Sequence, residues 1–178
     1  MPEVKTPANK AQKHPELLKS YLKFCEFRRE ASKTHTLDLS QLKWIYPTTL
    51  LPLGSFIEEN RNSLKLVPPV DKKVANYITT MAAGLPAGEY HVPIAKIPLE
   101  KEQAASVFSN IYNAYDRNFP GGENAFNYII NELVDNIYEH SRFTTAFVAA
   151  QAYKKKNFLE ACIFDNGITI PKSFEQYG

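Results

Sequence analysis

Hydrophobic positions fall into a series of periodic runs, and the period changes from run to run. From Pro15, the residues Leu17, Leu18, Tyr21, Leu22, Phe24 and Cys25 keep helical spacing, with charges opposite them through Arg29. Leu37 and Leu39, with His35 before them, alternate against polar neighbours and predict a short strand ending near Ser40. PTTLLPLGSFIEENRN predicts a helix opened by Pro47, with Leu50, Leu51, Phe56 and Ile57 as its apolar side. SLKLVPP reads as a second short strand stopped by two prolines. DKKVANYITTMAAG reads as a helix capped by Asp71 and ended by Gly84. Strand, helix, strand, helix with short connections predicts a small α/β unit with a parallel pair of strands.

The pattern then breaks at GLPAGEYHVPIAKIPLE, whose prolines and glycines suggest a linker with a strand over 90–97. Beyond it, Ala105, Phe108, Ile111, Tyr112 and Tyr115 mark one side of a helix that PGG ends. A further helix is expected over about 123–141. TTAFVAAQAY and NFLEACIFD are strand-like runs joined by KKKN, which predicts a hairpin. The expected class is α/β, an α+β sandwich with one module over 15–92 and another over 93–178. Residues 1–14 lack periodicity and read as a disordered arm.

Composition narrows the function classes. The chain is 44% apolar and 22% charged, as in ordinary globular proteins, and its net charge of +2 is too small to argue for nucleic acid. Cys25 and Cys162 have apolar neighbours and no metal-ligand spacing, so they are expected as buried thiols in a reducing compartment. No apolar stretch approaches bilayer length and no signal-peptide core is present, so the expectation is a cytoplasmic protein that does not enter the membrane.

Candidate chemistry gathers in NELVDNIYEHS, residues 131–141. At 100° per residue, Phe126, Ile129, Ile130, Leu133, Val134 and Ile137 form an apolar face. Glu132, Asp135, Asn136 and Glu139 gather opposite it, with His140 at the margin. Glu132 and Asn136 are one turn apart and neighbour each other. An Asn carbonyl suits Mg²⁺, and a nearby carboxylate could deprotonate a water aimed at phosphate. A plain solvated helix face has the same pattern. The lone His140 makes a poor zinc site. The hairpin's second strand stops on Asp165-Asn166-Gly167, which is both a good turn sequence and an acceptor carboxylate beside a permissive glycine.

Together, ELVDNIYEH and DNGITIP resemble the N-box and first glycine box of the GHKL (Bergerat-fold, histidine-kinase-like) ATPases. The resemblance implies Asn136 as the Mg²⁺ ligand, Glu132 as general base, Asp165 as acceptor from the adenine amino group and Gly167 as part of the base pocket. Asp135 and Glu139 match acidic N-box positions. Thr169 stands where the family's second glycine is usual and could offer its hydroxyl to the ligand. The family's glycine-rich lid would follow Pro171, so 93–178 is expected to be the first part of such a domain, with weak or absent turnover. LDLSQLKWIYPTTLLPLGSFIEE more faintly resembles the strand–helix core of STAS domains, where Thr48 or Thr49 would be a phospho-acceptor or, as favoured here, a helix cap. These resemblances imply a cytoplasmic regulatory protein in signal transduction that binds ATP and Mg²⁺. Its partners would be an adenine nucleotide, a regulatory protein and, through an exposed sheet edge, a second copy. The alternatives are a non-catalytic interaction module and a metal-dependent hydrolase acting without ATP.

Overall fold

The computed structural model describes residues 13–82, 88–119 and 121–168; Gly84, Thr169 and most of the expected arm lie outside them. The architecture is mixed α/β, as expected. Helix α1 (Lys13–Thr34) leads through His35 into strand β1 (Thr36–Asp38), then α2 (Pro47–Glu59), β2 (Lys65–Val67) and α3 (Lys72–Ala82). The β1–α2–β2 unit closes as a parallel pair, with Leu37 opposite Leu66. Asp71 does begin α3, its Oδ1 accepting the Lys73 N–H at 2.9 Å.

The second sheet is antiparallel, ordered β3 (His91–Lys96), β4 (Ala146–Tyr153), β5 (Phe158–Asp165). Helices α4 (Ala105–Asn118) and α5 (Glu123–Asn136) run between β3 and β4. The KKKN turn closes the hairpin, and Asn157 takes the left-handed conformation there (φ 50°). The Pro/Gly-rich stretch supplies β3, so the position between 92 and 93 falls inside a strand. Its register shift lies between Val92 and Ala95, where Pro93 removes a ladder donor.

Strand period explains how the sheet organises the molecule. Successive side chains point to opposite faces, so a strand buried on both sides reads as a nearly continuous apolar run. Ala146, Val148 and Ala150 of β4, with Leu159, Ala161 and Ile163 of β5, face α4 and α5 and meet Phe108, Ile111, Ile130 and Val134. Phe147, Ala149, Cys162 and Phe164 face the other way, into a core built by Phe24, Leu37, Leu51, Leu53 and Met81. The sheet is thus a middle layer shared by both halves of the chain.

Three expectations are corrected. His35 is exposed in the left-handed region (φ 53°), where it turns the chain from α1 into β1 rather than alternating within the strand. On α1 only Phe24 of the expected face is buried; Leu18, Tyr21, Leu22 and Cys25 are exposed, because α2 covers one narrow stripe of α1. Cys162 is only partly buried against the α1/α2 core, and desolvation first and the nearby Glu160 carboxylate second push its thiol up to about 12. Both cysteines are free. Among the described residues, no helix is long and apolar enough to cross a membrane.

The start of α2 also departs from expectation. Neither threonine caps the helix in the usual way, and Tyr46 at the N-cap makes no side-chain capping hydrogen bond. Glu160, reaching across from β5, accepts from the Thr48 backbone N–H at 3.1 Å and from the Thr48 hydroxyl at 3.0 Å. Thr49 is buried and shares a 2.7 Å hydrogen bond with the Ser20 hydroxyl of α1. Both hydroxyls tie elements together.

Candidate functional site

Helix α5 begins after Gly122, whose φ of 77° suits glycine. Ile130, Val134 and Ile137 are buried against the sheet, but Ile129 and Leu133 of the expected apolar face are exposed. The sheet covers a stripe narrower than the apolar arc. At Asn136 the α-helix gives way to a π-helical turn, Ile137–Ser141, which ends on Arg142 in the left-handed region (φ 50°). Widened turns of this kind occur mostly as single turns and often at functional sites. Here Ile137 and Ser141 are both buried, and the Ser141 hydroxyl donates to the Ile137 carbonyl at 2.9 Å.

That turn meets the end of β5. Asp165 has the parity of Ile163, so it lies on the α5 side of the sheet. Its Oδ1 accepts the Gly167 N–H at 2.9 Å. Asn166 Oδ1 accepts the backbone N–H groups of Thr144 (3.0 Å) and Thr145 (2.9 Å), and its amide donates to the Thr144 hydroxyl at 2.9 Å. The Ile168 N–H donates to the Ser141 carbonyl at 2.7 Å. Gly167 packs so tightly on Ser141 that a Cβ there would lie 2.1 Å from the Ser141 carbonyl oxygen. Asp-Asn-Gly is therefore a turn and also the latch that fixes β5 against the π-turn.

Between these elements lies a cavity of about 250 Å³. Asn136 and His140 line it from one side and Asp165 from the other, with Leu133, Ile163 and Ile168 as apolar wall. Residues 29 positions apart in the sequence thus share one small space. The other candidates are placed differently. Glu132 is exposed, one turn before Asn136, and does not line the cavity. Asp135 faces away: its carboxylate meets Lys101 Nζ at 2.8 Å, and that hydrogen bond holds the ammonium above its ordinary range. Glu139 lies 3.9 Å from His140 Nε2, outside the cavity lining. Gly167 serves packing rather than lining, and Thr169 is outside the described residues. Sequence reasoning set His140 aside as a lone histidine and did not single out Ser141. The fourfold spacing from Asn136 to His140 was the available signal for the first.

The side chains fit the chemistry expected of them in part. Asn136 offers an amide oxygen, a suitable donor to a hard cation, and Asp165 is a carboxylate able to accept more than one hydrogen bond. Among the described residues no group of three His, Cys, Asp or Glu side chains could hold a metal ion, so Mg²⁺ held here would rest on Asn136 and on oxygens from its ligand. Because Asp135 is committed to Lys101 at a half-exposed site, Asp135→Ala is expected to leave thermal stability nearly unchanged. A thermal melt of the variant checks this, and a large drop in its midpoint would mean that the Lys101 pair anchors the helix.

Compared with family models, with curated proteins and with solved structures, the chain finds no match.

Proposed function

We propose that the chain carries the adenine- and metal-facing part of a GHKL-type Mg-ATP site, within a cytoplasmic regulatory protein that uses ATP for switching or phosphoryl transfer. The observation that supports this reading is the convergence of Asn136 and Asp165 on one cavity, from a helix and a strand end separated by a whole hairpin arm. Asp165 would accept from the exocyclic amino group of adenine, and its orientation is held by the Gly167 N–H. Leu133, Ile163 and Ile168 would cover the flat faces of the base. Asn136 would hold Mg²⁺ through its amide oxygen. Glu132, exposed and one turn away, would take a proton from water on the solvent side. Bound Mg²⁺ would supply neutralisation of phosphate charge, the main need of phosphoryl transfer. By analogy with STAS modules, the 15–92 region would carry the regulatory contact.

The test is Mg²⁺-dependent binding of a fluorescent ATP analogue to the whole chain. Losing a hydrogen bond to a charged group costs about 1.5–3 kcal/mol, about a tenfold loss of affinity or more. Asp165→Ala is expected to lose that much and to erase the preference for adenine over guanine. Asn136→Ala is expected to keep adenine selectivity and lose the Mg²⁺ dependence. Wild type that binds no adenine nucleotide sinks the proposal.

One observation favours a second reading, a non-catalytic interaction module. Tyr128, Ile129 and Leu133 leave exposed apolar surface along α5. Under that reading neither variant would alter nucleotide binding, and Ile129→Glu would abolish partner capture.

A further inference from the structure

A second cavity, of about 660 Å³, lies on the α1/α2 side of the sheet, remote from Asp165 and unused by the ATP-site reading. Its volume is that of a small-molecule site. Phe24 and Phe27 of α1, Trp44 and Tyr46 before α2, and Tyr153 at the end of β4 form its walls. The Trp44 ring is held in place, stacked on Tyr77 at 5.0 Å and edge-on to Tyr46 at 6.3 Å. Aromatic walls of this kind take apolar bodies well.

Charge identifies the other end of an occupant. Lys19 and Lys23, one turn apart on α1, and Lys156, from the β4–β5 connection, also line the cavity. Among the described residues none of the three pairs with a carboxylate, and Lys23 Nζ instead lies 5.6 Å from the centroid of the Phe27 ring. Glu160, on the same side of the sheet, is buried and already bonded to Thr48. Cations from two distant parts of the chain, set around an aromatic hollow, focus a positive potential on it.

We propose that this cavity binds a small organic anion, its carboxylate, sulfonate or phosphate head at Lys19, Lys23 and Lys156 and its acyl or aryl body against Phe27, Trp44 and Tyr46. Trp44 is the chain's single tryptophan, so its emission reports this cavity and no other. The experiment titrates the whole chain with decanoate and, separately, with decylammonium, reading Trp44 emission and calorimetric heat. Decanoate is expected to give a saturable change that weakens with salt, and decylammonium a much weaker one. The exposed double variant Lys19→Glu/Lys23→Glu is expected to lose about tenfold in decanoate affinity, since it reverses two charges at the head group. Lys72→Glu/Lys73→Glu on α3 and Asn136→Ala are expected to bind decanoate as wild type does. The inference is overturned if neither signal saturates, if the ammonium binds as well as the carboxylate, or if charge reversal on α3 weakens binding as much as reversal on α1.

Discussion

Gly167→Ala is expected to destabilise the fold and pull apart the two walls of the Asp165 cavity in one step. The added methyl would stand 2.1 Å from the Ser141 carbonyl oxygen and 2.7 Å from its carbonyl carbon and Cβ. These are mostly backbone atoms of a buried turn, and they cannot rotate aside as the tip of a long side chain could. Relief requires β5 and the π-turn to separate, which breaks the 2.7 Å Ile168–Ser141 hydrogen bond and swings Asp165 away from Asn136. Overpacking of this kind costs about 1–3 kcal/mol, and the lost hydrogen bond adds about 1 kcal/mol. Gly54→Ala is the control. Its Cβ would meet only Ile94 Cδ1 at 3.9 Å, and alanine in a helix is worth about 1 kcal/mol over glycine. Urea unfolding should therefore rank Gly54→Ala at or above wild type and Gly167→Ala well below it. Equal midpoints for the two variants would mean that the close approach to Ser141 does not hold the site together.

The second large effect is expected at Glu160, and it should depend on pH. Glu160 is almost fully buried and supplies the acceptor that the first turn of α2 lacks. Among the described residues its other carboxylate oxygen, like the hydroxyls of Tyr77 and Tyr153 nearby, has no hydrogen-bond partner. Desolvation, the largest effect, raises the Glu160 carboxyl above its ordinary range, while the two bonds from Thr48 pull the other way. Folded Glu160 thus holds its proton more tightly than the unfolded chain does. Between the two pKa values the native state binds more protons, so the stabilisation is fully present below the unfolded value and is lost as pH rises through the folded one.

At acid pH, Glu160→Ala leaves the Thr48 N–H and hydroxyl unanswered and should cost about 1–3 kcal/mol. Glu160→Gln keeps an acceptor oxygen but cannot ionise. Denaturation of the two proteins between pH 4.5 and 8 should therefore show wild type losing stability relative to Glu160→Gln as pH rises. Parallel curves would mean that Glu160 titrates as an ordinary exposed acid.

Much of the fold was legible before the structure. Periods of 3.6 and 2 marked α2, α3, α4, α5 and the β4–β5 hairpin, and Asp71 and Pro47 marked where two helices begin, because these signals are local. The candidate site was legible only in its parts. Helical spacing placed Asn136 beside Glu132, but nothing local indicated that Asp135 would turn to Lys101 or that Gly167 would be needed for packing on Ser141. The exposed stripe of α1 could not be foreseen either, since an apolar arc tells what can be buried and not how much of it a neighbour covers.

What the sequence determined by itself is the identity of the elements and the parity of each strand. Glu160 and Asp165 differ by an odd number of positions, so they had to lie on opposite faces of β5. Only the tertiary structure decided what each face meets. It brought α2 to one side, where Glu160 closes a helix start 112 positions away, and the π-turn to the other, where Asp165 shares a cavity with Asn136. The physical reason is that backbone sterics and periodicity act over a few residues, whereas the partner of a buried polar side chain is chosen by the packing of whole layers.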